Sequence, residues 1–217
     1  MNFKYAVFDM DGTLLNSMNY WDLCERQALS EICGIDLVNG EESKFIYKTL
    51  EDLENRARSL SGKDFDVKKA HKYMHELMIK HYDSTPIQPV DGALEFLDKL
   101  RKSGVKTAIA TATPLEACKN CLERTGILEA VDAFVSTGEV GKNKYHPDVY
   151  LKAIELICGN KEETLIFEDA YYCLNTLMTN GFRYAIVHDG VRTSSITDEI
   201  KANCEHYIHS YKELMNL

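Results

Sequence analysis

A chain of 217 residues, 45% hydrophobic and 27% charged, holds enough apolar material for one large core carrying a sizeable insertion. Its formal net charge of −9 argues against nucleic acid or an anionic membrane surface as the main partner. No apolar run approaches the roughly 20 residues of a membrane span, and the opening residues lack a signal-peptide pattern. Seven cysteines, an odd number without a regular framework, read as free thiols in a reducing compartment, so the expected location is the cytoplasm. Cys118 and Cys121 lie in a helical pattern without a second pair or a nearby histidine, and helix packing is their expected role.

The apolar run 5–8 reads as a buried strand. It stops at two carboxylates, Asp9 and Asp11, and then at Gly12, which permits a sharp turn. Two residues apart in an extended segment, both carboxylates face the same way, and like charges that close repel by about 4 kcal/mol at an effective dielectric near 20. Such a pair needs a cation or a proton to relieve it. Three helical patterns follow, over 20–33 with Gly34 as its stop, 41–60, and 66–82. Nothing between Asn16 and Asp83 reads as a strand, so this is an all-helical insert. Pro86, Pro89 and Asp91-Gly92 mark its far boundary.

From there strand and helix alternate: helix 93–102, strand 105–110, helix 114–124 with Thr113 as N-cap, strand 133–135, helix 147–158, strand 164–167, helix 170–180, strand 184–187, then a last strand near 207–208 and a short helix. Strict alternation predicts an α/β fold with a doubly wound, Rossmann-like parallel sheet. The expected domains are a core of residues 1–15 and 86–217 and a helical cap of residues 16–85, joined by a two-stranded hinge.

In a parallel sheet, residues just past each strand gather along one edge. Strand one ends in Asp9 and Asp11. The strand after the hinge ends in Thr111, Ala112 and Thr113 before a helix start, a hydroxyl with backbone N–H groups suited to an anion. The stretch 141–148 supplies Lys142 and Lys144, and the strand 164–167 ends in Glu168-Asp169. Four carboxylates suit a hard divalent ion such as Mg²⁺, while the hydroxyl and a lysine suit a phosphate. Together these groups describe a phosphoryl-transfer site.

These residues, Asp9-Met10-Asp11-Gly12-Thr13, Thr111, Lys144 with Pro147-Asp148, and Glu168-Asp169, resemble the four ordered motifs of the haloacid dehalogenase superfamily. The subgroup resembled carries a helical cap after the first motif and includes phosphoglycolate phosphatases and β-phosphoglucomutases. The resemblance implies Asp9 as nucleophile and Asp11 as general acid and base, with Thr111 and Lys144 holding phosphoryl oxygens. It implies Mg²⁺ held by Asp9, the Asp11 backbone carbonyl, Glu168 and Asp169. Gly12, Thr13, Ala112 and Thr113 are then expected around the phosphate, with Asn16, Ser17, Trp21, Lys48 and Arg56 facing the substrate from the insert. Departures are Ala170, where relatives usually have serine, and Cys173, where they usually have glycine.

The expectation is a Mg²⁺-dependent hydrolase of a small phosphorylated metabolite, working through an aspartyl-phosphate. Dehalogenases lack an acid at the position of Asp11. The alternatives are a sugar-phosphate mutase, whose cap carries a histidine at the position of Trp21, and a phosphate-binding regulator without turnover. Lys44, Lys48, Arg56 and Arg58 are the basic residues that a mutase's substrate clamp would draw on. No oligomeric state is specified by the sequence, and a monomer is compatible with it.

Overall fold

In the computed structural model, residues 2–35, 55, 58, 66–189 and 196–216 are described. The chain divides into two compact units, Met1–Asn16 with Pro86–Leu217, and Ser17–Thr85.

The larger unit is a parallel sheet of six strands in the order β3-β2-β1-β4-β5-β6. The strands are β1 (Tyr5–Phe8), β2 (Lys106–Thr111), β3 (Ala133–Ser136), β4 (Thr164–Glu168), β5 (Arg183–Val187) and β6 (His206–Ile208). The main helices of this unit, numbered after the two of the smaller unit, are α3 (Ala93–Lys102), α4 (Leu115–Thr125), α5 (Asp148–Leu156) and α6 (Tyr171–Thr179). The opening strand is central. Val7 is level with Ala108 on β2 and Ile166 on β4.

Alternating side chains of that strand feed two apolar layers. Val7, Ala108 and Ile166 join Val149, Tyr150, Ala153 and Leu174 in one. On the other, Phe8 stacks on Phe167 with ring centres 4.6 Å apart, and Phe96 and the C-terminal Tyr211 close over them. With both faces covered, the strands read as nearly continuous apolar runs rather than alternating ones.

The smaller unit packs α1 (Met18–Cys33) against α2 (Val67–Ser84). The two run in opposite directions: Tyr20 meets His81 near one end, and Glu31 accepts from the Tyr73 hydroxyl at 2.6 Å near the other. Gly34 ends α1 at φ +64°, a left-handed geometry that suits glycine, and Asp66 caps α2 by accepting from the Lys69 N–H at 3.0 Å. Of the helix expected over 41–60, only Asn55 and Arg58 are described, both helical and exposed. Lys44, Lys48 and Arg56 lie outside the described residues. No helix among the described residues is long and apolar enough to cross a membrane.

Two local differences from the sequence reading have physical causes. The short helices Ile127–Ala130, Thr137–Val140 and Asp198–Asn203 escaped notice because four to six residues are too few to show a helical period. Thr113 is not a helix cap. Pro114 occupies that position with extended geometry and no side-chain bond, and the Thr113 hydroxyl turns to Asp11 instead.

Candidate active site

The carboxyl edge of the sheet begins with a turn that returns on itself. The Leu14 and Leu15 N–H groups both donate to the Met10 carbonyl, at 2.9 and 2.8 Å, and the Gly12 N–H donates to the Leu15 carbonyl at 2.8 Å. Gly12 sits at φ +84°, where a side chain would be strained. The Asp9 N–H donates to the Phe167 carbonyl, so the first carboxylate is still fixed by the sheet. A little further along the connection to the helical unit, the Asn16 N–H donates to the Gln88 carbonyl and the Val90 N–H to the Leu14 carbonyl, which ties the two linking segments together.

Asp9, Asp11, Thr13, Thr111, Thr113, Lys144, Glu168 and Asp169 are all buried. The loop before α5 supplies the lysine. There the Asn143 side chain accepts from the Tyr145 N–H and its carbonyl from the His146 N–H, a turn that swings Lys144 inward. Lys144 Nζ donates to Asp9 Oδ1 and, at 2.6 Å, to Glu168 Oε1. Its neighbour Lys142 stays out in solvent and pairs with Asp148 at 2.8 Å. Of the two lysines, Lys144 is the one whose ammonium meets Asp9 and Glu168.

Glu168 is held on both oxygens. Oε1 also accepts from the Tyr150 hydroxyl at 2.7 Å, and Oε2 accepts from the Asp169 and Ala170 N–H groups at 3.2 and 3.5 Å. Carboxylate oxygens of Asp9, Glu168 and Asp169 lie within 4.8 Å of one another. The Asp11 side chain is outside that cluster and accepts from the Thr113 hydroxyl at 3.3 Å. Thr13 donates to Asp169 at 3.4 Å, and the Thr111 hydroxyl accepts from the Thr113 N–H at 3.1 Å. Accepting through a lone pair leaves the Thr111 O–H able to donate to an anion.

The electrostatics follow from this packing. Burial pushes the Asp9 carboxyl well above its ordinary range, the Lys144 ammonium pulls it back, and Glu168 and Asp11 push it up again. Burial also opposes the charge on Lys144, but Asp9 and Glu168 together outweigh it and raise the ammonium above its usual value. Three clustered carboxylates and one ammonium leave two negative charges in a buried place. One divalent cation cancels them, and the donors on offer are all hard oxygens, so the residues fit an ion of the Mg²⁺ type.

Among the remaining expected residues, Gly12 is buried in its turn, while Ala112 and Asn16 are exposed. Trp21 belongs to the helical unit, where its ring stands edge-on to His75 with centres 5.1 Å apart. Tyr150 was missed. Its helical spacing with Val149, Ala153 and Ile154 marks a core face, and the one usable signal was a phenol on a face otherwise apolar.

A family model for haloacid dehalogenase-like hydrolases matches residues 6–187. The chain belongs to that family. It is 26% identical over 174 residues to a validoxylamine A 7'-phosphate phosphatase of Streptomyces hygroscopicus subsp. limoneus, covering 77% of this chain and 78% of the relative. A phosphoglycolate phosphatase of Cereibacter sphaeroides is 27% identical over 195 residues, covering 85% of this chain and 88% of the relative. Among solved structures, CbbY from Rhodobacter sphaeroides in complex with phosphate superposes with a TM-score of 0.78 at 20% identity. That match covers 98% of this chain and 96% of CbbY, and it shows the fold.

Proposed function

We propose that this haloacid dehalogenase-like hydrolase is a Mg²⁺-dependent phosphatase that removes phosphate from a small phosphorylated metabolite through an aspartyl-phosphate on Asp9. The observation that carries the reading is one ammonium, Lys144, bound at once to Asp9 and Glu168, with the Asp169 carboxylate clustered beside them. An exposed turn would need no such arrangement. The phosphatases among the relatives support the same chemistry.

In this reading an Asp9 carboxylate oxygen attacks phosphorus while the ester oxygen leaves. Asp11, oriented by the Thr113 hydroxyl, gives the leaving oxygen its proton. Asp11 then takes a proton from water, which attacks the mixed anhydride and releases phosphate with Asp9 restored. Thr111 and Lys144 hold the phosphoryl oxygens as charge develops on them. Asp9, Glu168 and Asp169, with the Asp11 backbone carbonyl, would hold Mg²⁺, whose charge draws the phosphate in and offsets its oxygens. The helical unit is the part of the chain that sets substrate choice. Trp21 at the position of a mutase's cap histidine favours hydrolysis over isomerisation.

The test is release of phosphate from a generic aryl phosphate with and without Mg²⁺. Activity is expected only with the cation, and Asp9→Asn is expected to lower kcat by at least about a thousandfold while circular dichroism shows the variant still folded. Full turnover in the Asp9→Asn variant would remove Asp9 from its role, and turnover undiminished by a chelator would remove Mg²⁺.

A further inference from the structure

Tyr150 is fully buried on α5, on a face that otherwise presents Val149, Ala153 and Ile154. A hydroxyl taken out of water needs a partner. Here the partner is Glu168 Oε1, at 2.7 Å, the same oxygen that accepts from Lys144. The Lys144 Nζ also stands 5.4 Å from the centre of the Tyr150 ring, within the range of a cation–π contact. One phenol therefore touches both members of the pair that frames the nucleophile.

A lysine is a point charge on a flexible stem. Held by Asp9 alone, it would collapse onto the carboxylate that has to attack. Glu168 gives it a second anchor, and that anchor is directional only while its own oxygens are fixed. The two backbone N–H groups fix Oε2, and Tyr150 fixes Oε1. We infer that Tyr150 is a positioning residue for phosphoryl transfer: its hydroxyl orients Glu168, and Glu168 holds the Lys144 ammonium where the transferring phosphoryl oxygens need it. This rests on the phosphatase reading above.

Tyr150→Phe keeps the ring and removes the hydroxyl. Groups that orient the residues of a site usually cost 10- to 100-fold when removed. The expected result is a kcat about tenfold lower with KM for the aryl phosphate within about twofold. Calorimetry is expected to show a parallel loss for orthovanadate, which mimics the five-coordinate transition state, and little change for phosphate. Tyr184→Phe is the matched control. That buried hydroxyl donates to the Ile200 carbonyl at 2.7 Å, away from the site, so its removal should lower the melting temperature and leave kcat alone.

An active wild type whose Tyr150→Phe variant keeps full kcat and full vanadate affinity overturns this inference alone. A wild type that releases no phosphate overturns the phosphatase reading as well.

Discussion

Among the described residues, two clusters hold titratable side chains against one another wholly or partly out of water, and they settle the cost in opposite ways. At the carboxyl edge of the sheet, Lys144 lies between Asp9 and Glu168, and the charges are kept because each has an opposite partner. On α2 of the helical unit, His71 and His75 face each other with Nε2 atoms 3.2 Å apart. Burial first, and His71 beside it second, lower the His75 pKa to about 4, and burial lowers that of His71 too. That pair gives up its charge near neutral pH. Paired charges remain available for chemistry, whereas neutral imidazoles serve packing.

The comparison is sharpened most by removing the pairing partner. Lys144→Met strands two buried carboxylates, and removing one member of a buried pair typically costs about 3–5 kcal/mol. Urea denaturation should report a loss of that order together with loss of turnover. If stability were unchanged, the lysine would not be compensating those carboxylates.

Acid titration addresses the histidines. A folded-state pKa below the ordinary histidine value means that the unfolded chain binds more protons between the two. Stability is therefore complete above about pH 6.5 and declines as pH falls, levelling off near pH 4, for a total on the order of 3 kcal/mol. Melting curves across that window should show the decline, and His75→Gln should flatten it. A slope unaltered by the substitution would assign the acid sensitivity elsewhere.

The smallest effect separates charge from burial. At the amino end of β5, Arg183 forks onto Glu205 at 2.5 and 2.9 Å, but both side chains keep about a quarter of their exposure. Solvent-accessible pairs of this kind contribute up to about 1 kcal/mol, so Arg183→Met should shift the melting temperature slightly and leave kcat unchanged.

Much of this site was legible because a parallel sheet turns position in sequence into position in space. Asp9, Thr111 and Glu168 are each the last residue of a strand or next to it, so alternation alone placed them on one edge. The Pro147-Asp148 spacing favoured Lys144 over Lys142, and in the structure Lys144 meets Glu168 while Lys142 pairs with Asp148 in solvent. What stayed hidden depended on partners far apart in the chain. Thr113 was read as a local cap because its actual partner, Asp11, is 102 residues away. Tyr150 looked like ordinary core because helical period reports which face is buried and says nothing of what a buried hydroxyl meets.

The place of β1 in the middle of the sheet carries a consequence for biogenesis. Its neighbours on either side, β2 and β4, lie about 100 and 160 residues downstream. A ribosome adding roughly 5–20 residues per second leaves that apolar strand unpaired for on the order of ten seconds. The strand that leads into Asp9 thus needs shielding as the nascent chain emerges, and slowed elongation should show first as aggregation rather than as lost activity per folded molecule.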